Sequence, residues 1–113
     1  MNIVIRSQRV AISEALSAHC RARVERALRP FASQVAYVEL VLVDEDGPRQ
    51  GVGQTCRVSV EMKSGARIRF ESSATSYYES AGQAAAGAGR HVTRWVQRRR
   101  AVTHERFWPL EAS

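Results

Sequence analysis

Lysine is all but missing from this chain. Seventeen residues are basic and, Lys63 apart, every one is arginine; only 11 are acidic, so the formal net charge is +6. Arginine presents a planar fork that grips phosphate and stacks on bases, which favours a nucleic-acid partner over a charge carried for solubility alone. Cysteine is scarce too. Cys20 and Cys56 make no disulfide framework and have no zinc-ligand spacing, so each is expected to act as a small buried hydrophobe. No apolar run reaches transmembrane length and no signal peptide precedes the first strand, which points to the cytoplasm and to no membrane partner. His19, His91 and His104 lack metal-ligand spacing, no carboxylate pair sits near an expected cleft, and Cys20 has no evident partner base. Gly87-Ala88-Gly89 is not followed by the Gly-Lys-Ser/Thr of a phosphate loop. The expectation is therefore no enzyme, no cofactor, no metal and no small-molecule substrate.

What is present fits one domain. The chain has 113 residues, 44% hydrophobic and 25% charged, enough for one core and not for two. Asn2 to Arg6 alternates as a strand with Ile3 and Ile5 on one face. Ser13 caps a helix running to about Leu28, with Leu16, Cys20, Val24, Ala27 and Leu28 as its apolar stripe, and Pro30 stops it. Val35 to Val43 is apolar on both faces, as a strand inside a sheet should be. Asp44 to Gly53 is a turn-rich loop whose acidic triplet lacks calcium-loop spacing. Thr55 to Lys63 and Ala66 to Ser72 alternate on either side of a tight turn at Ser64-Gly65.

A second helix then begins at Ser76, with Glu79 completing a capping box, and runs to Arg100. Tyr78, Ala81, Ala85, Ala88, Val92, Trp95 and Val96 share one side, while Arg90, Arg94 and Arg98 fall in a narrow arc away from it. Only Glu79 balances the arginines of this helix, and an unpaired positive stripe suits phosphates. Arg23, Arg26 and Arg29 give the first helix a second basic edge. Close packing accounts for Gly82 and Gly89 but not for Gly87, so Gly87→Ala is expected to stabilise and Gly82→Ala is not.

The fold expected is α+β in the order β-α-β-β-β-α, a four-stranded sheet with its first two strands parallel and both helices packed on one face. The expected core is Ile3, Ile5, Leu16, Val24, Leu28, Leu40, Leu42, Val58, Val60, Ile68, Phe70, Tyr78, Val92 and Trp95. Residues 1–100 form the domain and 101–113 a tail, in which Phe107-Trp108-Pro109-Leu110 is either a flap over an open sheet edge or a docking motif.

Several spaced motifs together resemble one family. Met1-Asn2-Ile3-Val4-Ile5, Arg9-Val10, Ser13-Glu14-Ala15-Leu16, Asp44-Glu45-Asp46-Gly47-Pro48, Gly51, Cys56-Arg57-Val58, Ala74-Thr75 and Tyr78 are similar to the ribosome hibernation-promoting factor and ribosome-associated inhibitor family, the S30EA or sigma-54 modulation proteins. The resemblance, which runs from Met1 to about Arg100, implies a double-stranded-RNA-binding-like fold with an added first strand. It implies binding to small-subunit rRNA in the mRNA and tRNA channel and silencing of idle or stressed bacterial ribosomes. The family's basic rRNA contacts correspond here to Arg23, Arg26, Arg90, Arg94 and Arg98. A chain ending at Ser113 resembles the short form, expected to be a monomer that does not pair ribosomes.

Two other functions compete. A general double-stranded-RNA module usually carries a lysine cluster at the start of its last helix, where this chain has Ser76-Tyr77-Tyr78-Glu79. A repurposed protein-interaction adaptor would keep the fold and lose the ribosome; Gln83, Gly87 and the tail aromatics are its marks.

Overall fold

The computed structural model describes residues 1–44 and 53–112, with side chains described as far as Arg100. The acidic segment 45–52, whose spacing does not suit calcium, and the Phe107-Trp108-Pro109-Leu110 side chains, expected as a flap or a docking motif, lie outside the described residues.

Strand β1 (Asn2–Gln8) leads into helix α1 (Glu14–Leu28), a 3₁₀ turn (Arg29–Phe31), strands β2 (Val35–Asp44), β3 (Gln54–Met62) and β4 (Arg67–Ala74), and helix α2 (Tyr77–Ala112). The sheet order is β1-β2-β3-β4, with β1 parallel to β2 and the other pairs antiparallel. This is the α+β order read from the sequence.

Local chemistry sets most of these boundaries. The Ser13 hydroxyl accepts the Leu16 N–H at 3.1 Å and caps α1, which Pro30 ends one residue into the 3₁₀ turn. The β3–β4 hairpin closes through Met62 N–H to the Ala66 carbonyl (2.8 Å) and Gly65 N–H to the Met62 carbonyl (2.9 Å). Gly65 sits at φ +96°, a left-handed conformation that a side chain disfavours. Ser76 caps α2 by accepting the Glu79 N–H at 3.2 Å. Only half of the expected capping box forms, because the Glu79 carboxylate faces Thr75 and Gln83 instead.

Both helices share one core with one face of the sheet. Leu16, Cys20, Val24 and Leu28 of α1 and Ala81, Ala84, Ala85, Ala88, Val92 and Val96 of α2 are buried with Val38, Leu40, Leu42, Val58 and Val60. The opposite face of the sheet is wet and carries cross-strand ion pairs: Arg6 pairs diagonally with Glu39 at 3.5 Å, and Arg57 with its register partner Glu71 at 2.6 Å.

Four sequence expectations need correction. Tyr78 is 47% exposed rather than buried. It stands at the margin of the apolar arc, where it meets α1 and not the sheet: its ring lies 4.9 Å from that of His19, and His19 Nε2 bonds the Tyr78 carbonyl at 3.0 Å. Ile5, Phe70 and Trp95 are only half-buried at the edge of the core. The backbone of α2 continues past Arg100 to Ala112. Ala101 to Arg106 contains neither glycine nor proline, so nothing local stops the helix there. Finally, Gly87 lies directly against β4, since a Cβ there would overlap the Phe70 ring. On the wheel it shares the arc of Arg94 and Arg98, but it lies two turns earlier than Arg94, where the Phe70 ring of β4 covers that face. The same Cβ on Gly82 would meet only the guanidinium end of Arg23, at 3.1 Å. At Gly89 it would meet the Ala27 carbonyl at 3.0 Å, which agrees with the close packing expected of that residue.

Candidate nucleic-acid interface

Small residues bring the two helices together. Ala81, Ala84, Ala85 and Ala88 are all but inaccessible, and Gly82 and Gly89 face Arg23 and Ala27 across the α1–α2 seam. With α2 bringing only glycines and alanines to that seam, the helices approach closely and the basic edge of α1 comes up beside that of α2. Arg23, Arg26 and Arg90 thereby line one open groove of about 650 Å³, floored by Ala27, Gly89 and Thr93.

Of the five arginines singled out from the sequence, three therefore meet. Arg94 and Arg98 do not line this groove; they continue along α2 as exposed side chains. Arg23 is half-buried, its guanidinium laid against Gly82, whereas Arg26 and Arg90 are exposed. The Arg90 guanidinium lies 6.0 Å from the centroid of the Phe70 ring. Among the described residues none of the five has a carboxylate within ion-pair distance; the pairs formed there, Arg6–Glu39 and Arg57–Glu71, belong to the opposite face. The open sheet face thus pairs part of its charge, whereas these five arginines have no carboxylate partner among the described residues. An exposed guanidinium without a partner exchanges only water and counterions for a phosphate, whereas a paired one must first give up its carboxylate.

The sequence reading missed three members of the neighbourhood. Tyr78 and His19, 59 residues apart, meet at the start of α2, and no local signal joins them. Phe70, read as core, is half-buried between Gly87, Arg90 and His91, with the His91 ring edge-on at 5.2 Å. Beside them Ser72 donates to Gln83 Oε1 at 2.5 Å, fixing the amide on the outer side of α2.

No such chemistry appears at the thiols. Cys20 and Cys56 are free and fully buried; burial pushes Cys20 up to about 11 and Cys56 higher still, so both stay protonated at neutral pH. Among the described residues no group of three or more His, Cys, Asp or Glu could hold a metal. Nor is any helix among them long and apolar enough to cross a membrane.

The sigma 54 modulation protein / S30EA ribosomal protein family matches residues 3–100. The chain belongs to that family. Among solved structures the S30EA chain is similar to a ribosomal subunit interface protein from Coxiella burnetii, with a TM-score of 0.72 at 14% identity, covering 86% of this chain and 99% of that one. It is also similar to the N-terminal domain of Protein Y from Thermus thermophilus, with a TM-score of 0.67 at 19% identity, covering 84% of this chain and 99% of that one. At these identities the two likenesses establish the fold. No curated protein matches the chain.

Proposed function

We propose that this protein binds the rRNA of the small ribosomal subunit, in the channel used by mRNA and tRNA, and silences translation in idle or stressed cells. It acts as a cytoplasmic monomer and performs no catalysis. The observation that carries this reading is a cluster of unpaired positive charge: Arg23, Arg26 and Arg90 converge with no carboxylate within ion-pair distance among the described residues, and Arg94 and Arg98 extend the same basic surface along α2. Membership of the S30EA family supports a ribosomal partner for that surface. On this reading residues 1–100 are the ribosome-binding domain and the remainder is an appendage to it.

The test is co-sedimentation of the purified protein with small ribosomal subunits, read beside inhibition of translation in vitro. Reversal of Arg90 and Arg94 to Glu should abolish co-sedimentation and relieve inhibition. Reversal of Arg67 and Arg69, on the open sheet face, should do little. If the sheet-face pair matters more, the RNA lies across the strands. If neither matters and the protein stays at the top of the gradient in stationary cells, the ribosome reading gives way to a protein-interaction adaptor.

A further inference from the structure

A second groove, of about 620 Å³, opens at the start of α2, and its chemistry differs from that of a phosphate cradle. Tyr78 stands at its mouth and is, with Met1, one of two large hydrophobic residues exposed among the described residues. The ring is not loose. His19 of α1 packs against it and holds the backbone beneath it through the Tyr78 carbonyl. An exposed aromatic ring fixed from behind is a stacking platform, and every nucleobase has a face to lay on it.

The same groove contains Glu79, an acid at the start of α2 that lines it together with Arg23 and Arg90. A carboxylate there repels phosphate, so the floor of this groove is not shaped for a backbone. Its oxygens are weakly engaged, with Thr75 Oγ1 at 3.4 Å and Gln83 Nε2 at 3.5 Å. Gln83 is oriented from its other end. Ser72 occupies Oε1, which turns the Nε2 donor toward Glu79 and leaves it with that one long contact. The groove therefore offers two acceptors and, next to them, one donor. Among the RNA bases only guanine presents the complement on its Watson–Crick edge, an O6 acceptor beside the adjacent N1–H and N2–H donors. Adenine and cytosine each offer a single donor there, and uracil places its one donor between two acceptors. The guanidinium groups of Arg23 and Arg90 flank the groove where the phosphates on either side of an extruded nucleotide would run.

We propose that this groove captures one unstacked guanine of a single-stranded RNA segment, with Tyr78 stacking on the base and Glu79 and Gln83 reading its edge. The inference rests on the RNA-binding reading above and gives it a sequence preference that phosphate contacts cannot supply.

Fluorescence anisotropy with a short labelled single-stranded oligoribonucleotide containing one central guanine, and with the same strand carrying adenine there, tests it. The guanine strand should bind about tenfold more tightly. Tyr78→Ala should weaken it by about tenfold, and Tyr78→Phe should restore it. Glu79→Gln should erase the preference for guanine while leaving the adenine strand unweakened. Equal binding of the two strands, or no loss in Tyr78→Ala, overturns the proposal, as does displacement by free GMP as effective as that by the guanine strand. Arg94→Glu should lower affinity for both strands and leave their ratio unchanged. Small-subunit binding without any guanine preference sinks the base site and spares the proposed function; a guanine preference in a protein that ignores the subunit does the reverse.

Discussion

The Phe70 ring occupies the space that a side chain on Gly87 would need. This contact locks β4 against α2, and the same ring lies below the Arg90 guanidinium. Gly87→Ala should therefore destabilise the fold by about 1–3 kcal/mol, the ordinary cost of overpacking, despite the better helix propensity of alanine. Gly82→Ala should do the opposite and raise the melting temperature slightly. Its Cβ meets only the end of a flexible arginine, which can move aside. Thermal melts of the two variants check both signs, and a stabilising Gly87→Ala would mean that α2 does not touch Phe70 there.

Leu40 in the middle of β2 is fully buried between the neighbouring strands and both helices. Leu40→Ala should cost about 2–5 kcal/mol in urea unfolding. A loss below about 1 kcal/mol would mean that β2 presents its other face to the helices.

Salt should report the number of phosphates met by the arginine surface. The logarithm of small-subunit affinity should fall with the logarithm of salt concentration by roughly 0.7–0.9 for each phosphate neutralised. The Arg90→Glu, Arg94→Glu pair should flatten that slope by about two contacts' worth. Titrations at several salt concentrations measure it, and an unchanged slope would remove both residues from the interface.

The buried thiols predict a loss of stability in alkali. Cys20 is raised from 9.0 to about 11 by burial, and Cys56 moves further in the same direction, helped by the nearby Cys20. Above pH 9 the unfolded chain releases these protons while the folded one keeps them, so the unfolded state binds fewer and stability falls as pH rises. The stabilisation is fully present below pH 9 and should decline between pH 9 and 11 by about 1.4 kcal/mol per pH unit for each thiol still protonated in the fold. Urea melts across that range should show a shallower decline in a Cys20→Ala, Cys56→Ala double variant. An identical pH profile would mean that the thiols are solvated.

Features set by neighbours along the chain are legible before folding. The two-faced apolar run of β2, the alternation of β3 and β4, the serine caps at Ser13 and Ser76 and the stop at Pro30 involve contacts of a few residues, so pattern and propensity suffice. The outward arc of Arg90, Arg94 and Arg98 follows from helical periodicity in the same way. Which arginines meet depends on the fold, because the α1–α2 seam, with its glycines and alanines on α2, joins two elements far apart in sequence. The fold also moved Tyr78 out of the core. A residue at the margin of an apolar arc is buried or exposed according to which neighbour lies beyond it, and here that neighbour is His19 of α1. Gly87 is the sharpest case. Helix propensity assigns glycine a cost at every interior position, whereas the space a ring needs from the facing strand depends on where that strand lies.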